Sequence, residues 1–468
     1  MTSTFGLLNT AATALAAARA GTDVVGQNIA NAATPGYVRQ RVDVSSIGSV
    51  RNGLLSNGVH VGGGVQVNGV ARLADPLLDA RVQTTSSVNG FWTVQSGALS
   101  TLETSLHEPG DSGTSTALQK FWSAWQDMGS HPGSAPQAGV LLQTAGQLSA
   151  TIAAGYRDVV GQWSAQRDQA ASTVANVNGL ATQVAALNGQ IRTTVAGGGN
   201  ANELLDQRAK LTNQLADLTG ATVRDLGNGT VDVVVGGNAL VSGTTARPLA
   251  LAGTTELAGA GTDPVHVEWA DAPGVAVQLD GGRLAGSLAV LSGSGPLVAT
   301  ANAYSDLATS IATQVNAVHS TGATTAGTTG LDFFSLTAGV PPAVGLTVVP
   351  TDASGIAAGA VGSGALDGSI ADRIANLGAA TGSPDAQWSA FVVATGTTAA
   401  TASTQSGLAN AALTSATSMQ SSQENVDMDE ETTDLLTWQH AYQGAARVLT
   451  TIDDMLDTLI NKTGLVGR

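Results

Sequence analysis

The chain has 468 residues, enough for two to four domains and for substantial buried cores. Its formal net charge is −16, with 19 Lys and Arg against 35 Asp and Glu, and no basic stripe; that argues against nucleic acid, whose phosphates demand clustered cations. There is no Cys, which excludes disulfides, thiolate catalysis and Cys-based zinc sites.

The first segment carries Phe5, Leu8, Ala12, Leu15, Thr22, Val25 and Ile29 at spacings of three and four, a helix with one apolar face. No basic residue precedes Arg19 and polar residues interrupt the apolar run, so it does not read as a signal peptide. The helix is expected to stop at Thr34-Pro35-Gly36, where Pro restricts the residue before it and Gly supplies a turn. Val38, Gln40, Val42 and Val44 then alternate with Arg39, Arg41 and Asp43, which is strand periodicity. A Gly-rich stretch from 48 to 69 follows, with the segment 58–73 expected as a hairpin of its own.

Helical patterns return over 75–106, in a short segment around "TALQKFWSAWQDMG", and in a long helix that begins near Gln137. Val177, Leu180, Val184, Leu187 and Ile191 form a heptad, and "AGGGNAN" separates it from a second helix with Leu204, Leu211, Leu215 and Leu218. Two helices joined by a short Gly loop predict an antiparallel helical hairpin. From Gly220 to Gly282 β-branched alternation and Gly-Asn-Gly turn chemistry predict strands. A helix is expected over Pro296–His319, and β or loop structure from Ser320 to Gly364. The rest reads as helical, broken at Ser383-Pro384. In the last helix Leu435, Tyr442, Leu449 and Leu456 recur every seventh residue, and Trp438, Ala445, Ile452 and Leu459 form a second seam. Asp427, Asp429, Glu430, Glu431 and Asp434 crowd its start, a solvated group favoured by the helix dipole. No uninterrupted run of ~18 apolar residues predicts a membrane span.

Catalytic patterns are weak. Gly110-Asp111-Ser112-Gly113 looks like a serine nucleophile loop, but it lies between helices with nothing to supply its partners. The six His lack a metal-binding i, i+4 pair, and no Gly-rich stretch carries a Walker Lys.

The segment "NIANAATPGYVRQ" (28–40) resembles the rod-and-hook motif of bacterial flagellar axial proteins. Asn28, Asn31, Thr34, Pro35, Gly36 and Tyr37 match it; Ala33 stands where that motif usually has Asn, and Val38 where Ser is common. The terminal "DLLTWQHAYQGAARVL", the tail "GLVGR" and the mid-chain "NELLDQRAKLTNQLADL" are similar to the hook-associated FlgK family. The resemblance covers most of the chain and has matching order at both ends.

The resemblance implies a structural protein: an adaptor at the hook–filament junction, needed for flagellum assembly and motility, with no enzyme activity and no cofactor. Alternatives are a hook or distal rod protein, or a secreted hydrolase on an axial scaffold. The implied partners are further copies in a helical ring, the hook protein, the second junction protein, and a cytoplasmic export chaperone on the C-terminal helix. Export would proceed through the flagellar type III apparatus to an extracellular position.

The expected fold is mainly α with an inserted β-rich domain (α+β), elongated and multi-domain. Residues 1–33 with 429–468 form a terminal coiled-coil domain. Residues 34–219, 283–319 and 365–428 form a helical bundle with a β-hairpin region. Residues 220–282 with 320–364 form an inserted outer β-rich domain, and replacing Thr222–Gly282 with a short linker is expected to keep the helical core folded. The expected assembly interface is Phe5, Leu8, Leu15, Ile29, Leu435, Trp438, Tyr442, Leu449, Ile452, Leu456 and Leu459. In the free chain these terminal helices are expected to have few partners.

Overall fold

The computed structural model describes residues 4–48 and 62–462. The side chain of Phe5, the start of the expected 58–73 hairpin and the tail 463–468 lie outside the described residues. The fold is mainly helical. Helix α1 (Thr4–Asn31) leads to strands β1 (Gln40–Ser46) and β2 (Val65–Arg72). These pair antiparallel with each other, Gln40 opposite Arg72 and Val42 opposite Val70, so the second strand of this hairpin is supplied by the segment that had been expected to fold on itself. The register shifts between Asp43 and Val44. That bulge breaks the alternation, which is why Val42 is buried and Val44 exposed.

Helix α2 (Pro76–Leu106) starts where Asp75 accepts a hydrogen bond from the Leu77 amide at 2.8 Å, with Pro76 in its first turn. After α3 (Thr114–Ser130) comes α4 (Ala135–Ala196), 62 residues without a break, about 93 Å at 1.5 Å per residue. Trp163, Ala170, Val177, Val184 and Ile191 repeat every seventh residue along it and are fully buried. A short Gly loop turns the chain back into α5 (Asn202–Thr219), which packs on α4 as the hairpin pattern predicts.

Seven strands follow. β3 (Thr222–Asp225), β4 (Val231–Val235), β5 (Asn238–Ser242) and β6 (Thr245–Ala246) form one sheet in sequential order. β7 (Leu249–Ala252), β8 (His266–Trp269) and β9 (Ala272–Ala276) form another. Helices α6 (Gly282–Leu291) and α7 (Pro296–His319) come next. By length and composition this pair could cross a bilayer, even though no uninterrupted apolar run occurs. Its apolar side chains, among them Leu284, Leu297, Leu307, Ile311 and Val315, are instead buried in the bundle.

The segment after α7 contains β10 (Gly322–Ala323), β11 (Phe334–Leu336), the single turn α8 (Pro342–Gly345), β12 (Leu346–Val348) and β13 (Gly359–Ala360). β10 pairs with β13 and β11 with β12, none with the earlier seven strands, so the expected union of 220–282 with 320–364 has no strand pairing behind it. Each segment instead packs on α4. Nor is the first segment an outer layer. Val233, Val235, Leu240, Val267 and Trp269 belong to one continuous core with α4 and α7. The second is held by Phe333 against Trp125, ring centroids 4.8 Å apart, and by buried His319. The His319 Nδ1 lies 2.7 Å from the Leu331 carbonyl, while its Nε2 accepts from the Ala357 amide at 2.9 Å.

The chain closes with α9 (Ser369–Ala375), α10 (Pro384–Glu424) and α11 (Met428–Asp457). α10 runs antiparallel to α2. Gln420 meets Asp79 at one end and Trp388 meets Glu108 at the other, with Trp388, Thr395, Ala402, Ala409 and Ala416, every seventh residue, forming a buried row between. α11 packs against α1, so the two termini form one helical pair.

Candidate functional site

The two termini meet the body at an elbow built from residues 28–40 and from the α10–α11 junction. Past the end of α1, the Thr34 amide bonds the Asn31 carbonyl at 2.8 Å, and the Tyr37 amide bonds the Thr34 carbonyl at 3.1 Å. In the second of these turns Pro35 takes the position that favours its fixed φ, and Gly36 has φ +84°, the left-handed value a type II turn requires there. Ala33 is exposed and both turns close through backbone groups, so replacement of the usual Asn leaves the elbow intact.

Asn28 is the centre of the elbow, 1% exposed. Its amide nitrogen donates to the Gln40 carbonyl at 2.8 Å and to Glu431 Oε2 at 3.0 Å. Its oxygen accepts from the Tyr37 hydroxyl at 2.9 Å and from the Gln40 amide at 3.0 Å. Two donors and two acceptors are thereby all used. Burial, with Asp206 and Glu431 nearby, pushes the Tyr37 hydroxyl up to about 12, so it remains a donor.

Glu431 is equally buried, at 1%. Its Oε1 accepts from Arg39 Nε at 2.6 Å, and Arg39 also reaches Glu430 at 2.5 Å and Asp434 at 3.4 Å. The acidic start of α11 is therefore only partly the solvated group expected. Asp427 caps the helix, accepting from the amides of Asp429 and Glu430, while residues 430, 431 and 434 face Arg39 because spacings of three and four share a helix face. Sequence reasoning missed Arg39 and Glu431 as a pair. The one available signal was an acidic i, i+3/i+4 set in a chain poor in cations.

The seam between α1 and α11 runs antiparallel, since Asn28 meets Glu431 and Gly21 meets Trp438. A Cβ on Gly21 would collide with the Trp438 ring, so only Gly allows this approach. On α11, Ala445 and Ile452 are buried, and Leu435, Trp438, Leu449 and Leu456 are half-buried. Tyr442 and Leu459 are exposed. On α1 the buried row is Ala11, Ala18, Gly21, Val25 and Asn28, and Leu8, Leu15 and Ile29 flank it half-buried. The reason is steric: small residues let the helices approach, and the larger ones fit only at the edges. Val24 and Ala17 are also buried, on the side where the β1–β2 hairpin packs on α1. The terminal helices thus have partners within one chain, contrary to expectation.

Behind the elbow lies a polar cleft of about 1130 Å³ between residues 32–38 and helices α2, α4, α5 and α10. Asp79, Asp206 and Glu424 line it, and burial raises all three carboxyls above their ordinary range, against the pull of Arg72. Among the described residues no cluster of three His, Asp or Glu has metal-binding geometry.

Comparison with known proteins agrees with this architecture. Residues 99–334 match the "Flagellar hook-associated protein FlgK helical domain". Residues 8–37 match "Flagella basal body rod protein", and residues 420–462 match "Flagellar basal body rod FlgEFG protein C-terminal". The chain is 28% identical to flagellar hook-associated protein 1 of Bacillus subtilis over the whole of both chains. It is 30% identical to the Salmonella typhimurium protein of that name, over 70% of this chain and 59% of that one. The hook junction protein FlgK of Burkholderia pseudomallei shares the fold, with a TM-score of 0.63 at 16% identity, over 74% of this chain and 100% of that structure. With half of its length in the helical domain and both ends in the rod motifs, the chain belongs to the flagellar hook-associated FlgK family.

Proposed function

We propose that this chain is a structural adaptor of the bacterial flagellum at the hook–filament junction, and that it acts through helix surfaces and not through catalysis. The observation that carries the reading is the terminal pair. α11 has a wider apolar stripe than α1 covers: Tyr442 lies exposed on one flank of the buried row, Val448 and Met455 on the other. A stripe this wide suits more than one helical neighbour. Further copies of the same chain in a ring are the occupants, with the hook protein below and the second junction protein above. Export through the flagellar type III apparatus and a chaperone on the C-terminal helix belong to the same reading.

The test separates the two faces of α11. Tyr442→Asp and Val448→Asp charge one flank each but leave the buried row of Ala445 and Ile452 against α1. Both variants are expected to be secreted and to keep the native melting temperature, yet to fail to incorporate at the junction, leaving cells non-motile. Normal swimming with intact filaments in both would overturn the reading.

A further inference from the structure

We infer that the first two turns of α5 form a clamp that fixes the angle between the terminal helix pair and the body, with Asn202 and Asp206 as its positioning residues. The inference rests on the assembly reading of that pair but concerns the free chain. Asn202 and Asp206 are one helical turn apart, on one face of α5, and both are buried.

Their partners all belong to the elbow or its hairpin. Asp206 Oδ2 accepts from the Val38 amide at 3.2 Å, and its Oδ1 accepts from Arg72 Nε at 2.5 Å. Asn202 Nδ2 donates to the Gln40 side-chain oxygen at 3.0 Å and to the Val70 carbonyl at 3.0 Å. So α5 grips both strands of the hairpin just where the chain leaves the elbow. Between Val38 and Gln40, the Arg39 amide donates to the Glu424 carbonyl at the end of α10 at 2.8 Å.

The clamp is itself anchored. Arg208, two residues on, is buried and donates to Asn188 Oδ1 at 2.9 Å and to the Gly229 carbonyl at 2.8 Å. Asn188 also donates to the Val231 carbonyl at 2.8 Å. Through these bonds α5 is fixed to α4 and to the turn before β4. Beyond the clamp the loop 32–36 is exposed and borders the open cleft. A buried carboxylate holding an amide and a guanidinium is costly to lose, because both partners are left unpaired. That cost gives the elbow a preferred angle.

The absence of Cys allows clean spin labelling of the full chain. With labels at Gln443→Cys on α11 and Gln183→Cys on α4, both exposed, double electron–electron resonance should give one narrow distance distribution. Asp206→Ala and Asn202→Ala should each broaden it into several distances while far-UV circular dichroism stays native. Asp206→Asn keeps an acceptor for the Val38 amide and should fall between. Asp217→Ala is the control: it breaks the 2.7 Å ion pair that joins α5 to Arg283 of α6, and should leave the distribution narrow. A narrow distribution in Asp206→Ala would overturn the inference, as would a broad one in the native chain or equal broadening by Asp217→Ala. Since these distances are read on the isolated protein, a failure here is distinct from a failure to locate at the junction.

Discussion

An amide side chain can make four hydrogen bonds, and Asn28 makes four inside the protein, one of them across to a residue 403 positions away. Asn28→Ala leaves Glu431, the Tyr37 hydroxyl and the Gln40 backbone wanting, at about 1–3 kcal/mol for each group that water cannot reach. The expected outcome is loosening at the elbow, seen as lost hydrogen-exchange protection over residues 37–42 and 428–438, with the α4 core unchanged. Two titrating groups give opposite pH signatures. Burial raises Glu424, so protons favour the folded state, and its contribution is present in acid and lost as pH rises through the raised value. Glu424→Gln, which keeps an acceptor for the Asp75 amide, should therefore melt no lower than the native chain at neutral pH, and its relative advantage should vanish on acidification. Burial lowers His319, so its contribution is present above its ordinary value and lost as pH falls through the lowered one. The Ala357 amide should lose protection as pH drops below about 6.5.

At the level of the element, the α1–α11 seam was legible in outline only. The heptads of the last helix were plain because Leu, Tyr and Ile mark them. The matching row on α1 was not, because Ala and Gly carry no pattern against an Ala-rich background, where Leu8 and Leu15 stand out instead. The Thr34-Pro35-Gly36 turn could be read because its chemistry is local. Arg39–Glu431 and Val38–Asp206 could not, since nothing local tells a paired charge from a solvated one. Gly21 gives the sharpest check. Ala is the better helix former by about 1 kcal/mol, yet Gly21→Ala should destabilise the pair because its methyl strikes Trp438. Trp438→Ala should relieve the clash, so the double variant is expected to be markedly less destabilised than the sum of the singles in a thermodynamic cycle.

Across the whole molecule, one long helix organises everything. α4 carries α3, α5, α6 and α7 and both β segments along its length, and the strands of 220–282 share its core. The β periodicity of 220–282 was visible in the sequence; its packing was not, because alternation shows that a strand has a buried face and not what covers it. Replacing 222–282 with a short linker would strip partners from α4 at Asn178 and Asn188, and would remove side chains each worth about 1.5–3 kcal/mol when buried. Loss of a single cooperative melting transition is the expected result, read by circular dichroism; a retained sharp transition would mean that the helices hold together without the sheets.

The side chains of Arg39 and Gln40 point oppositely, Arg39 toward α11 and Gln40 toward α5, where the Val38 backbone amide also bonds. The elbow therefore has parity. A single residue inserted after Tyr37 would send the guanidinium toward the body and an apolar or amide group toward Glu431, exchanging the two sides of the joint in one step. The bulge at Asp43/Val44 bounds the effect, for an odd count can be absorbed there and not before it. Evolutionary or engineered length changes in this family member should accordingly collect beyond residue 43, and the six residues from Asn28's first partner at Tyr37 to Val42 should keep their number even where their identities drift.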